Sequence, residues 1–272
     1  MNKLMCALLT FVLCLGSFSF VFANDEGYEI NSIDSFKDAL NDAYNDGACS
    51  QNEKEQLISE TNPQVIDKFL EEKTASMENL VTENIKDADM NIDVNGNEYY
   101  SKKISAGDHC AVKIEIKDEA ENTVISSLKD YFLEPTYAVT HSGSSTSWKD
   151  YGYRQYTAKT VYYYGVASGT IGLEVHYYLS SNGIKLRYGT PIVGDSGLMN
   201  VTANSAHITD QYAKTPGASN TNIYATYKVT YGESPTTWST TYKMAVVISY
   251  LAIDKLDKQI HCGHSWKCYA LD

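Results

Sequence analysis

The first apolar positions of the chain form a nearly continuous block. Leu4 to Leu15 is almost wholly hydrophobic, and the run continues through Phe18, Phe20, Val21 and Phe22 to Ala23. Lys3 precedes it, and Asp25 and Glu26 follow. A positive start, an apolar middle and a small residue at the end have the form of a secretory signal peptide, here residues 1–23. Cys14 follows Leu13 rather than the small residue that usually precedes a lipid-modified cysteine. No later run is apolar and long enough to cross a bilayer, so no stable transmembrane segment is expected after signal removal.

Beyond the leader the apolar spacing becomes three and four. Ile33, Phe36, Leu40 and Tyr44 recur at helical steps, with Asn31 or Ser32 as cap and Gly47 as stop. Ser50 and Glu53 form a capping box for a second helix with Leu57 and Ile58 on its apolar face. Pro63 suits a first helical position, and Val65, Ile66, Phe69, Leu70, Met77, Leu80, Val81 and Ile85 mark a longer amphipathic helix over 63–87.

Near Asp89 the period drops to two. Met90 to Val94 alternates and Asn95-Gly96 is a two-residue hairpin signal, while Ala111 to Ile116 alternates again. Further on, three sets read as single strand faces: Ile171, Leu173, Val175, Tyr177, Leu179; then Ile223, Ala225, Tyr227, Val229, Tyr231; then Trp238, Tyr242, Met244, Val246, Ile248, Tyr250. The expected fold class is α+β. A signal peptide (1–23) precedes an acidic helical region (24–88) and an antiparallel β-sandwich-like domain (89–272).

Charge sharpens this division. Residues 24–130 hold 25 acidic and 10 basic side chains, net −15, whereas 131–272 hold 9 and 11, net +2. A formal charge of −12 over the whole chain lacks the basic footprint of a nucleic-acid binder. All three Trp and 18 of the 22 Tyr fall in the second region, which makes aromatic surface its distinguishing resource.

Four cysteines remain after the leader: Cys49, Cys110, Cys262 and Cys268. An even count in an exported chain predicts two disulfides, with three possible pairings. One arrangement clips the C-terminal segment through Cys262 and Cys268 and ties Cys49 to Cys110. The same segment, His261 to Cys268, carries two His and two Cys, but neither the spacing nor the compartment matches a common zinc site.

The segment Asp42-Ala43-Tyr44-Asn45-Asp46-Gly47-Ala48-Cys49-Ser50-Gln51-Asn52-Glu53 resembles an EF-hand calcium loop. The resemblance implies Asp42, Asp46 and Glu53 as oxygen ligands and Gly47 as the sharp turn. Tyr44 departs from it, standing where that family carries Asp or Asn, and so removes a ligand. The plain alternative is a helix–turn–helix in which Glu53 serves the cap. No cofactor is assigned, and calcium is the one alternative that this loop leaves open.

The β-region carries the other candidate site. Ser142 to Ser147 reads as a flexible polar stretch ending in Trp148, followed by Tyr151, Tyr153 and Tyr156, then Tyr162, Tyr163 and Tyr164. Three consecutive tyrosines cannot all face one side of a strand, so some rings reach the exterior. Tyr and Trp join apolar area to a polar handle, which suits sugars and protein partners. Trp148, Tyr153, Tyr163 and Trp238 are the contact candidates. No Gly-x-Ser-x-Gly, His-Glu-x-x-His or phosphate-binding loop occurs, and no catalytic residue is assigned. Glu174 and His176 share a strand face, which permits an acid–His contact. The reading is a secreted, non-enzymatic, adhesin-like binding module for a cell-surface glycan or protein. The alternatives are a β-rich pore-forming or bacteriocin-like toxin with an acidic pro-segment, and a secreted hydrolase.

Overall fold

The computed structural model describes residues 27–45, 47–84, 91–92, 97–121, 141–231 and 238–271. The leader, Asp46 and the Asn95-Gly96 turn lie outside them. The three expected helices form: α1 (Ile33–Ala43), α2 (Gln51–Glu60) and α3 (Pro63–Asn84). Ser32 Oγ accepts the Ser35 amide at 3.1 Å to cap α1. At α2 the Glu53 amide donates to Ser50 Oγ and the Ser50 amide to Glu53 Oε2, at 3.3 and 2.7 Å. These caps satisfy amides that a first helical turn otherwise leaves unpaired. The apolar stripes bury Phe36, Leu40, Val65, Phe69, Leu70 and Met77, with Phe36 and Phe69 meeting edge to face at 5.0 Å.

The rest is mostly antiparallel β-sheet, in two sheets. One has seven strands in the order β1 (Asn91–Ile92), β2 (Glu98–Gly107), β3 (Cys110–Ala120), β5 (Gly152–Tyr164), β6 (Ser168–Ser180), β7 (Gly183–Ser196) and β10 (Tyr212–Ala213). The other runs β4 (His141–Asp150), β13 (Gln259–Ala270), β12 (Trp238–Asp254), β11 (Ser219–Tyr231) and β8 (Met199–Ala203), with β9 (His207–Asp210) also on β11. Alternation sends Val112, Ile114, Tyr156, Ala158, Leu173 and Val175 inward from the first sheet. Ile223, Ala225, Val229, Met244, Val246 and Ile248 do the same from the second. The Tyr227 hydroxyl donates to the Gly172 carbonyl between the two layers. Facing inner surfaces of this kind are consistent with a β-sandwich-like domain.

The helices share this core. α3 touches β2, β3 and β4. Lys73 pairs with Asp108 at 2.6 Å, and the Thr74 and Tyr164 hydroxyls meet at 2.7 Å. The Tyr44 hydroxyl donates to the Gly165 carbonyl at 2.9 Å. Gly165 has φ +76°, and a Cβ there would lie 2.8 Å from Leu40 Cδ1, so glycine lets α1 seat closely on the β5–β6 turn.

Two expectations are corrected. Ser142 to Trp148 is not a flexible stretch but part of β4, hydrogen-bonded along β13. The C-terminal segment is not a clipped tail either: it is β13, paired on both sides by β12 and β4. Cys262 and Cys268 sit six positions apart on that one strand, about 20 Å at ~3.3 Å per residue. A disulfide needs Cα atoms within about 7 Å, so these two cannot bond each other while the strand is intact. All four cysteines are free, with Cys49 half-buried and Cys110, Cys262 and Cys268 buried.

Because Phe69 is fully buried in the core that helices and sheets share, Phe69→Ala should cost about 3–5 kcal/mol of stability. Urea unfolding followed by circular dichroism should show helix and sheet signals shifting together. A sheet transition left at its wild-type midpoint would refute a shared core.

Candidate functional site

Of the four aromatic candidates, Tyr153, Tyr163 and Trp148 do not form one site. Tyr153 and Tyr163 both lie on β5, ten positions apart, or about 33 Å along the strand. Tyr153 is 52% exposed, whereas Tyr163 is half-buried with Lys103 Nζ 4.7 Å from its ring centre. Trp148, 48% exposed, stacks on His261 at 5.0 Å on the outer face of the other sheet. Trp238 opens β12, and its side chain lies outside the described residues.

Around Tyr153, however, strand register assembles a patch on the outer face of the seven-stranded sheet. Tyr153 is opposite Tyr178, Tyr178 opposite Lys185, and Lys185 opposite Tyr212. The next row is Gln155, His176 and Tyr188. Tyr153 and Tyr178 rings lie 4.7 Å apart, and His176 stacks on Tyr188 at 4.2 Å. The β6–β7 register shifts between His176 and Tyr177, leaving Arg187 as the extra residue of a bulge. Its guanidinium sits over Tyr153 at 4.6 Å and Tyr188 at 5.5 Å. Lys185 and Lys214 flank the Tyr212 ring.

Carboxylates fix the cations in place. Arg187 Nη1 donates to both oxygens of Glu121, at 2.6 and 2.7 Å. His176 meets Glu121 through Nδ1 and Glu174 through Nε2, each at 2.7 Å. Gln155 Nε2 donates to the second Glu174 oxygen at 2.7 Å. Burial alone would lower the His176 pKa, but the hydrogen bonds to Glu174 and Glu121 outweigh it and raise it. These hydrogen bonds favour the protonated ring, which then clamps the two acids together.

A second cluster lies between the sheets. Glu98 on β2 and Asp118 on β3 are directly opposite in register and both buried. Lys149 reaches in from β4, its Nζ 2.7 Å from Glu98 Oε1 and 3.0 Å from Asp118 Oδ2. Asp118 Oδ1 accepts from Arg154 Nε at 3.1 Å and from the Tyr177 hydroxyl at 3.0 Å. That hydroxyl is also 3.0 Å from His264 Nε2, and Tyr156 stacks on the His264 ring at 4.8 Å. Burial pushes Asp118 up, but the neighbouring positive charges outweigh it and hold its carboxyl below the usual range. Burial brings His264 down to about 4, so it is neutral at physiological pH. Two carboxylates then face two cations, a balance that makes burial of all four tolerable.

The calcium-loop residues are dispersed in their roles. Asp42 is exposed in the last turn of α1, Glu53 is held by the Ser50 amide, and Asp46 is outside the described residues. Tyr44 turns to Gly165 and stacks on His109 at 4.1 Å. Among the described residues no group of three His, Cys, Asp or Glu has metal-holding geometry. Burial raises the Cys110 and Cys268 thiols to about 12 and raises Cys262 as well, so these three are protonated and inert at neutral pH.

No family model, curated protein or solved structure matches the chain. The sites must be read from their own chemistry. Sequence reasoning found the Glu174–His176 contact but missed Arg187 and Glu121, which a bulge and a sequence-distant carboxylate bring to it. It also missed the buried cluster. Strand parity was the available signal there: Asp118 continues the inward series Val112, Ile114, Ile116, and His264 falls between Cys262 and Trp266.

A raised histidine pKa stabilises the fold fully below the unfolded value of about 6.5, and that contribution fades as pH rises through the folded value. The wild-type urea midpoint should therefore fall above about pH 6.5 by more than that of His176→Gln. Equal pH dependence in both proteins would refute the clamp.

Proposed function

We propose that this chain is a secreted, non-enzymatic, adhesin-like binding module, an acidic helical region packed on a β-sandwich-like domain. Its ligand is a cell-surface glycan, held on the outer face of the seven-stranded sheet. The observation that carries the reading is the Tyr153–Tyr178–Lys185–Tyr212 row with Tyr188 beside it. Tyr153, Tyr188 and Tyr212 are 52%, 46% and 47% exposed, in a sheet whose other tyrosines include fully buried ones. Exposed rings on a rigid sheet present flat apolar faces at little conformational cost. The Arg187, Gln155 and Glu174 groups beside them offer donors and acceptors to ring hydroxyls. No helix among the described residues is long and apolar enough to cross a membrane. The helices contribute Phe36, Leu40 and Phe69 to the common core, which favours an integral region over a removable pro-segment.

Trp148 stands on the opposite outer face and serves as an internal control. A glycan array should identify a ligand, and calorimetry should then show Tyr153→Ala and Tyr188→Ala each weakening it about tenfold, about 1.4 kcal/mol. Trp148→Ala should leave affinity unchanged. Binding lost only with Trp148→Ala, binding that no tyrosine change weakens, or selective capture of a protein instead of any glycan would overturn this reading.

A further inference from the structure

The cluster around Asp118 is arranged for a reaction of the protein with itself. A buried lysine usually stands opposite one carboxylate. Lys149 Nζ stands between two carboxylates, 2.7 Å from Glu98 Oε1 and 3.0 Å from Asp118 Oδ2. The Asp118 carboxyl is unsymmetrical. Its Oδ1 is held by two donors, Arg154 Nε and the Tyr177 hydroxyl, while its Oδ2 faces Lys149 and has His264 Nε2 at 3.6 Å. Two donors fixed on one oxygen polarise the carbonyl and can stabilise the negative charge that develops there during attack. Lys149, Asp118 and Glu98 are all less than a tenth exposed, so water is excluded from the contact.

We propose that Lys149 and Asp118 condense into an amide bond that covalently joins the six-stranded sheet to the seven-stranded one. Glu98 relays a proton from Nζ to Asp118 Oδ2, which turns the ion pair into a free amine and a neutral carboxyl, and the amine then attacks Asp118 Cγ while Arg154 and Tyr177 hold Oδ1. The C–Oδ2 bond then breaks. Oδ2 leaves with the two protons that the ammonium gives up, carried by way of Glu98. One ammonium and one carboxylate become one amide and one water, and no oxidant, reductant or other reactant is needed.

Two factors drive the step. Reacting groups fixed at about 3 Å show effective molarities of ~10⁵ M or more, which offsets the preference of water for the free acid and amine. Turning a buried ion pair into a neutral amide also removes the desolvation cost of two charges. The remaining Glu98 and Arg154 still balance each other. Glu98 is itself a less suitable acceptor for Lys149, because among the described residues no pair of donors polarises its carboxyl in the way that Arg154 and Tyr177 polarise Asp118.

Mass spectrometry of the purified, reduced and denatured protein tests this directly. The wild type should be lighter than its sequence by one water, and protease digestion should yield a branched peptide joining Lys149 to Asp118. Lys149→Met should show the full mass and no branch. Glu98→Gln, which keeps the side-chain shape, should fold with a cooperative melt yet remain unlinked. A folded wild type at full mass with separate Lys149 and Asp118 peptides overturns the proposal without recourse to any variant. A branch from Lys149 to Glu98 does so too, and a Glu98→Gln protein linked as completely as wild type removes Glu98 from the chemistry.

Discussion

Charge placed between two apolar layers must be met by opposite charge at contact distance, and this constraint organises the interior of the protein. Asp118 and Glu98 lie side by side on neighbouring strands, an arrangement that repels unless cations reach both. Lys149 and Arg154 supply them from β4 and β5. The four residues come from separate strands of two sheets, so their agreement ties sheet to sheet. A one-residue slip in β2, β3 or β5 would turn one of these groups outward and leave its partner buried alone. Such an orphaned charge costs several kcal/mol, more than turning one apolar side chain of the same strand out to water. The polar cluster thus acts as a register key within a core otherwise built from Val, Ile, Leu and Tyr.

Much of the layout was legible along the chain. The caps at Ser32 and Ser50, the helix opened by Pro63 and the three alternating series of the β-region all correspond to elements that form. These signals are local, since each rests on spacing within one helix or strand. What the spacing did not disclose has a common origin. Ser142 to Trp148 has too little hydrophobicity to read as a strand, yet its backbone is paired along β13. The segment from Ile260 to Cys268 alternates as well as any strand, but its inward residues include Cys and His, which draw attention as chemistry before they are read as packing. Arg187 reaches Tyr153 only because a bulge displaces it, and bulges leave little trace in composition. Glu121 joins His176 from fifty-five positions away, a separation that no local pattern records.

The two polar assemblies differ in the work their surroundings permit. On the outer face, Glu174, Glu121 and Arg187 remain partly exposed around a buried His176, so their pairing is worth modest energy and responds to pH and salt. Their role is positional: they hold aromatic rings in fixed attitudes on a rigid sheet. Between the sheets, the same kinds of group are shielded, their mutual attraction is strong, and their proximity carries chemical consequences that solvent would quench.

The seating of α3 against β2, β3 and β4 has a consequence for the chain's behaviour in company. β4 ends the six-stranded sheet and presents backbone amides and carbonyls on its far side. An uncovered strand of that kind is a template for another copy of the chain to add to. A helix over such an edge obstructs growth, and α3 contacts β4. Molecules stripped of their helical segment would therefore be the ones prone to polymerise strand by strand.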